Sequence, residues 1–334
     1  MKNKFLSNFI KITFTVALAI YAFYKSGLFD ADGQEKFLGL LSNVRVGYLI
    51  FSILLAFFLN LSSAIKWNML LNSRGVFVKL WRIYAFYSIG KFFNLILPTS
   101  LGGDVVRIYQ LGQYTGKKHT AAASVIVERF SGLIVLMIMA VIAVIININV
   151  FNQLWLSIAL LSGSIFLGII VWIIFSQSVF DFFYNIIGRK IKIVGKIFNK
   201  IQKIRQMIIE FKSDKKAMVW ALINSLIFQL LAVVNVWISA KAFNDELSFI
   251  TSLIAVPVIL FIMNIPFSIG GIGLMEFGYV FTLPLFGIST ALSISTALLI
   301  RFKSILDALI GGIFYLFLKN NKSIVDEISK EQIT

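Results

Sequence analysis

Apolar residues fill long runs of this sequence, and polar residues gather in short clusters between them. Runs from Phe9 to Tyr24, Gly47 to Ile65, Ser124 to Ile146, Leu154 to Phe175, Ala217 to Ala240 and Thr290 to Leu318 approach or exceed the roughly 20 residues a helix needs to cross a hydrocarbon core of about 30 Å. The pattern predicts an all-α polytopic membrane protein with six full spans. Two further apolar regions, 84–116 and 249–286, fit no full span. Each is interrupted by a short stretch: Asn94-Leu95-Ile96-Leu97-Pro98-Thr99-Ser100-Leu101-Gly102-Gly103-Asp104 in the first, and Asn264-Ile265-Pro266-Phe267-Ser268-Ile269-Gly270-Gly271-Ile272-Gly273 in the second. Both contain Pro-x-Ser-x-Gly-Gly, and each is followed by Arg-Phe, at Arg129-Phe130 and Arg301-Phe302. Proline blocks helix continuation and the glycine pair permits a sharp turn. Broken backbone is tolerated at membrane depth only where protein buries it or a wet cavity surrounds it. The expectation is two re-entrant helical hairpins.

The polar clusters set the expected orientation. Most of the 31 Lys and Arg fall at the N-terminus, in 66–91, in 105–118, in 176–216 and after Leu318. Positive loops stay inside, which places both termini in the cytoplasm of the cell membrane. Lys66-Trp67 reads as an interfacial pair closing the second span, and residues 25–46 as a mixed-charge outside loop. Over 180–212 apolar residues recur at three- and four-residue steps beside a lysine stripe, which predicts a basic amphipathic helix on the inner leaflet. The first hairpin then opens from the cytoplasm and the second from outside. Residues 1–334 read as a single integral membrane domain holding an inverted repeat, 47–146 against 217–318. Asn60 with Lys66 and Asn235 with Lys241 echo each other at the same spacing. Inverted repeats with paired helix breaks place a substrate near the midplane between the halves.

Composition narrows the chemistry. The chain is 59% hydrophobic, with a mean hydropathy of +0.89, whereas soluble domains run about 45–50% apolar. The net charge of +16 is absorbed by the inside loops and anionic lipid, so nucleic acid is not the expected partner. Cysteine is absent, and His119 is the single histidine, in a polar stretch after Lys117-Lys118. Thiol chemistry and His-based metal catalysis are thereby excluded, and no metal or other cofactor is expected. The glycine pairs match neither nucleotide-binding loop pattern.

What remains is intramembrane charge, which is costly and marks function by default. Asp104 with Arg107, and Lys303 with Asp307, have helical spacing for local pairs. Glu128 and Arg129 are adjacent, so each needs a partner elsewhere. Arg301 lies in the last span with no acid within a turn, and Glu276 or Glu128 are its candidate partners. Helix N-termini after Gly103 and Gly271 attract phosphate, and arginine grips it with a planar fork. The expected substrate-binding set is Asn94, Pro98, Ser100, Gly102, Gly103, Asp104, Arg107, Glu128, Arg129, Pro266, Ser268, Gly270, Gly271, Glu276 and Arg301. Arg301 is expected to face the central cavity and exchange its carboxylate for a lipid phosphate.

Phe92-Phe93-Asn94-Leu95-Ile96-Leu97-Pro98, Gly102-Gly103-Asp104-Val105-Val106-Arg107, Val127-Glu128-Arg129-Phe130 and Ile265-Pro266 through Gly270-Gly271, Gly273 and Glu276 together resemble the lysylphosphatidylglycerol synthase transmembrane family, over roughly residues 45–318. In its best-known members a cytoplasmic aminoacyl-transferase domain makes the lysyl-lipid and the membrane part moves it outward. This chain, ending at 334, resembles the flippase half alone. The resemblance implies a non-enzymatic translocator of a phospholipid or related, aminoacylated or anionic, phosphate-bearing lipid. It leaves room for a separate lipid-synthesising or glycosyltransferase partner. Two rivals stay open: a polyprenyl-phosphate glycolipid transferase using Asp104 or Glu276 as base, and a non-transporting accessory subunit.

Overall fold

The structure, a computed structural model, describes residues 2–97, 102–146, 176–188, 214–244, 246–264 and 270–318, with isolated positions between 162 and 211 and side chains from residue 13 onward. Among these residues every regular element is helical. The helices are α1 (Lys2–Lys25), α2 (Ala31–Ser42), α3 (Val46–Asn72), α4 (Leu80–Ile96), α5 (Gly102–Thr115), α6 (Lys118–Ile146), α7 (Gln177–Phe183), α8 (Lys215–Lys241), α9 (Phe249–Met263), α10 (Leu274–Thr282) and α11 (Thr290–Phe317). A π turn over Tyr184–Gly188 follows α7, and a 3₁₀ turn over Leu283–Phe286 follows α10. The span expected over 154–175, most of the amphipathic helix expected over 180–212, and Pro98, Ser100, Pro266 and Ser268 lie outside the described residues.

Three helices, α3, α6 and α8, are long and apolar enough to cross a membrane. Helix α11 is 28 residues long, but its Arg301, Lys303 and Asp307 interrupt the apolar run. Helices α4 and α5 have 17 and 14 residues. At 1.5 Å per residue neither reaches the roughly 30 Å of a hydrocarbon core. Helices α9 and α10 are shorter still than α4, at 15 and 9 residues. Phe51, Leu54 and Phe58 of α3, Ile223 and Ile227 of α8, and Ile313 and Leu316 of α11 are exposed. Such outward apolar residues are what a lipid-facing surface presents, because tails solvate them as well as a core does.

The packing repeats itself. Helix α3 packs on α8, its own counterpart in the second half. Helix α4 packs on α11, and α9 packs on α6. The pairs α4–α5, α5–α6, α3–α4 and α3–α6 recur as α9–α10, α10–α11, α8–α9 and α8–α11. Exchanging the halves maps these contacts onto one another, and α1 and α2 are additions, against α10 and α11. The broken stretches come together as well. A Cβ built on Gly270 would lie 3.6 Å from the Asn94 carbonyl oxygen and 3.8 Å from that of Leu95. The end of α4 therefore lies against the backbone that precedes α10.

Two expected boundaries move. Residues 25–46 are not a loop throughout, because α2 occupies 31–42. The second span does not stop at Ile65: α3 continues to Asn72, with Lys66 6% and Trp67 0% exposed. A hydropathy run ends at a lysine, but the helix does not, because partners on α6 and α8 take up the ammonium.

Candidate functional site

The first site forms where α5 and α6 close over α3. Helix α5 starts at the glycine pair, and at Gly103 a side chain has no room. A Cβ on Gly103 would overlap the Gly90 carbonyl oxygen and sit 2.7 Å from Asn94 Cγ. The Gly103 amide instead donates to Asn94 Oδ1 at 2.7 Å, so Asn94 caps α5 across the break. Asp104, in the first turn of α5, then faces Arg107 one turn on.

Three helices, α3, α5 and α6, contribute charge here, and α8 adds a serine. Arg107 Nη2 donates to Asp104 Oδ1 at 2.7 Å and Nη1 to Glu128 Oε2 at 2.9 Å. Arg129 Nε lies 2.6 Å from Asp104 Oδ2. Lys66 Nζ donates to the Glu128 carbonyl oxygen at 3.1 Å and to Ser225 Oγ at 3.2 Å, with Glu128 Oε1 at 3.8 Å. Ser225 in turn donates to Ser131 Oγ at 3.3 Å. Rings of Trp67 and Tyr87 cover the Arg107 guanidinium at 5.1 and 4.5 Å, a favourable placement for a desolvated cation. Among the described residues three cations share two carboxylates, so one positive charge is uncompensated. Exposure shows where it opens: the side chains of Lys66, Asp104, Arg107 and Glu128 are 4–9% accessible, and that of Arg129 is 40% accessible. Asp104 is the one ion-pair partner of Arg129 among the described residues.

The second site is the counterpart, and there one cation faces one carboxylate. Arg301 Nε and Nη2 donate to Glu276 Oε1 at 2.9 Å and Oε2 at 3.1 Å. Nη1 donates to the Gly270 carbonyl oxygen at 3.1 Å and Nη2 to that of Gly271 at 2.7 Å. Glu276 Oε2 also accepts the Gly273 amide at 2.8 Å. Four N–H contacts tie Arg301 to Glu276 and to the Gly270-Gly271 backbone, and its side chain is 13% accessible. The two Arg-Phe arginines thus occupy matching helices with different environments.

The expected residues fall into two groups. Asn94, Gly102, Gly103, Asp104, Arg107, Glu128 and Arg129 gather in the first site, and Gly270, Gly271, Glu276 and Arg301 in the second. Of the two acids open to Arg301, Glu276 takes it, and Glu128 belongs to Arg107. The expected Lys303–Asp307 pair is not formed. Asp307 Oδ2 lies 3.2 Å from Lys91 Nζ of α4. Lys303 Nζ turns to Asn235 Oδ1 and Ser239 Oγ, both at 2.7 Å, and to the Ser52 carbonyl oxygen at 3.4 Å. Inter-helix partners outcompete the helical neighbour, and spacing along one helix cannot show them. Sequence reasoning missed Lys66, which joins the first site, and the Trp67–Tyr87 walls. The Asn60–Lys66 echo was the signal for Lys66, but its interfacial position concealed it. Among the described residues no group of three or more His, Cys, Asp or Glu could hold a metal ion.

This site sits in a chain similar to known membrane proteins. A UPF0104 membrane protein of Methanothermobacter thermautotrophicus is 22% identical over 245 residues, which are 69% of this chain and 72% of that protein. No solved structure matches the chain. The sequence pattern of the lysylphosphatidylglycerol synthase TM region matches residues 8–311, and with its apolar helices and charged interior the chain belongs to that family of multi-pass membrane proteins.

Proposed function

We propose that this protein translocates a phosphate-bearing lipid between leaflets, with Arg129 as the group that meets the head group. The observation that carries this reading is the contrast between the two arginine sites. One is neutral and closed. The other has an uncompensated positive charge and ends in Arg129, whose side chain is 40% accessible beside Asp104. A phosphate monoester or diester supplies the missing negative charge and fits the planar fork. Asp104 retains Arg107 when Arg129 swings to the ligand, so the exchange leaves no bare acid.

The short helices α4 and α5, and α9 and α10, support re-entrant hairpins that enter from opposite sides. The two copies then lie inverted in the cell membrane, both termini on the cytoplasmic side, and the substrate passes between them. A transferase would need a free general base. Asp104 and Glu276 are both locked on guanidinium groups, which favours transport over catalysis. A separate lipid-synthesising or glycosyltransferase partner would supply the substrate.

The test is lipid movement in proteoliposomes made with labelled anionic, zwitterionic and lysyl-bearing lipids. Faster inter-leaflet movement than in empty vesicles, differing among head groups, is expected. Equal rates with and without protein for every head group would overturn the reading.

A further inference from the structure

Each of the two equivalent seams holds one buried ammonium, and different helices supply them. Where α3, α6 and α8 meet, it is Lys66 of α3. Where α8, α11 and α3 meet, it is Lys303 of α11. Aligning Arg129 with Arg301 places Ser131 opposite Lys303. The sequence echo of Lys66 is Lys241, which lies over the Trp237 and Tyr48 rings. What the seams share is a cation, not a residue position.

They differ in what surrounds it. Lys66 has the Glu128 carboxylate at 3.8 Å. Lys303 is 3% exposed and has no carboxylate within 4.0 Å among the described residues. Its three oxygens are all neutral: Asn235 Oδ1, Ser239 Oγ and the Ser52 carbonyl. The Ser239 hydroxyl donates to the Asn235 carbonyl, so its oxygen can only accept from Lys303. Three acceptors suit three N–H groups of an ammonium. A neutral amine would turn a lone pair toward them and loosen the tie between α3, α8 and α11.

An ion pair adjoins this seam on the side of α4. Asp307 lies one turn further along α11, its side chain 12% accessible, and its partner Lys91 is 35% accessible. The helices packed against α11 also carry Tyr48 on α3, Arg82 and Tyr87 on α4, Lys215 and Lys216 at the start of α8, and Tyr279 on α10. Tyr84 of α4 feels Asp307. Glu276 of α10 is taken by Arg301. Lys241 ends α8, and Lys66 of α3 belongs to the other seam. Among described side chains, α1 adds Tyr21, Tyr24 and Lys25, and α2 adds Asp32, Glu35 and Lys36.

We propose that Lys303 carries the proton that couples lipid movement to a transmembrane proton gradient, with Asp307 as its link to water; the coupling rests on the translocation reading above. On release, an N–H bond of the Lys303 ammonium breaks and its electron pair stays on Nζ. The proton passes through water to an Asp307 oxygen lone pair, forming an O–H bond and freeing Lys91. Asp307 then gives the proton to bulk water and recovers Lys91. When the seam closes toward the opposite side, a proton from water there forms the new bond to the Nζ lone pair.

The absence of native cysteine allows a direct test. Ser52→Cys keeps the backbone carbonyl that Lys303 uses and places a reporter on the seam. Its labelling by a neutral maleimide is followed in proteoliposomes across about pH 6 to 10. Rates are divided by those of a single cysteine at exposed Ser42, which corrects for the reagent and for ionisation of a free thiol. The Lys303 variants carry the correction for the buried thiol's own ionisation. The corrected rate should rise at least about threefold with pH as the closed population falls. The step should vanish in both Lys303→Met and Lys303→Arg, since arginine keeps the charge but does not release it. In parallel, a one-unit pH gradient should shift the steady-state leaflet ratio of labelled lipid by up to about tenfold for one proton per lipid. A flat profile with Lys303 in place overturns the proposal, as does the same step in both variants. Lipid movement with a ratio indifferent to the gradient overturns the coupling and leaves translocation standing. A Lys303-dependent step with no lipid movement overturns translocation together with the coupling that rests on it, and leaves a protonation-dependent seam alone.

Discussion

If Arg301 holds the second hairpin tip instead of the substrate, it should be coupled strongly to Glu276 in stability. Its guanidinium makes four N–H···O contacts, two to the carboxylate and two to the Gly270 and Gly271 carbonyls. The side chains are 13% and 6% accessible, so water screens little of this. Arg301→Met leaves Glu276 buried with only the Gly273 amide. Breaking a buried pair from one side costs about 3–5 kcal/mol, chiefly because the remaining charge is unpaired. Glu276→Met strands the guanidinium and should cost about the same. In the double Met variant neither charge is stranded. What is lost is the pair of carbonyl contacts, worth about 1.5–3 kcal/mol each before the gain in apolar contact. The single costs should therefore exceed the double cost, with a coupling of at least about 3 kcal/mol. Unfolding in mixed detergent–SDS micelles, followed by far-UV circular dichroism, supplies the cycle. Singles that each cost under about 1 kcal/mol and add within about 0.5 kcal/mol would refute the clamp and return Arg301 to the substrate path.

The helix crossings give sharper steric tests. Gly103→Ala drives a Cβ into the Gly90 carbonyl and Asn94, and backbone cannot rotate away. It should destabilise by about 1–3 kcal/mol or more in the same micelle titration, and an unchanged midpoint would refute the close α4–α5 approach. Gly311→Ala, against the Ser88 carbonyl where α11 crosses α4, should behave alike, whereas Gly39→Ala on α2, with open space around it, should not. Cysteines replacing Lys117 and Lys241 should react with a membrane-impermeant thiol reagent from opposite faces of the cell membrane, and reaction from one common face would refute the inverted arrangement.

Much of this fold is legible in the sequence because lipid removes the ambiguity of apolar runs. The runs ending at Ile146, Ala240 and Leu318 correspond to α6, α8 and α11 within a few residues, and both glycine pairs mark breaks between helices. What stays hidden is pairing across helices. Hydropathy ended the second span at Lys66 because it scores an ammonium without its acceptors on α6 and α8. Helical spacing joined Lys303 to Asp307, but Lys91 and the Asn235–Ser239 turn of α8 lie nearer in space. The Pro-x-Ser-x-Gly-Gly echo also made Arg129 and Arg301 look equivalent. Their difference is decided by neighbours: at the position of Asp104 the second copy has Ile272, and its acid comes from Glu276 instead.

The central claim is that Arg129, not Arg301, meets the head group. Arg129→Gln removes the accessible charge while Asp104 keeps Arg107 at 2.7 Å, so the fold should hold. Loss of a charge-assisted fork to phosphate is worth about 1.5–3 kcal/mol, and each 1.4 kcal/mol is about tenfold. The direct measurement is the inter-leaflet rate of a labelled phosphate lipid in proteoliposomes of Arg129→Gln beside the unaltered protein. A rate at least about tenfold lower, with an unchanged unfolding midpoint, is the predicted result, and an undiminished rate would contradict the account.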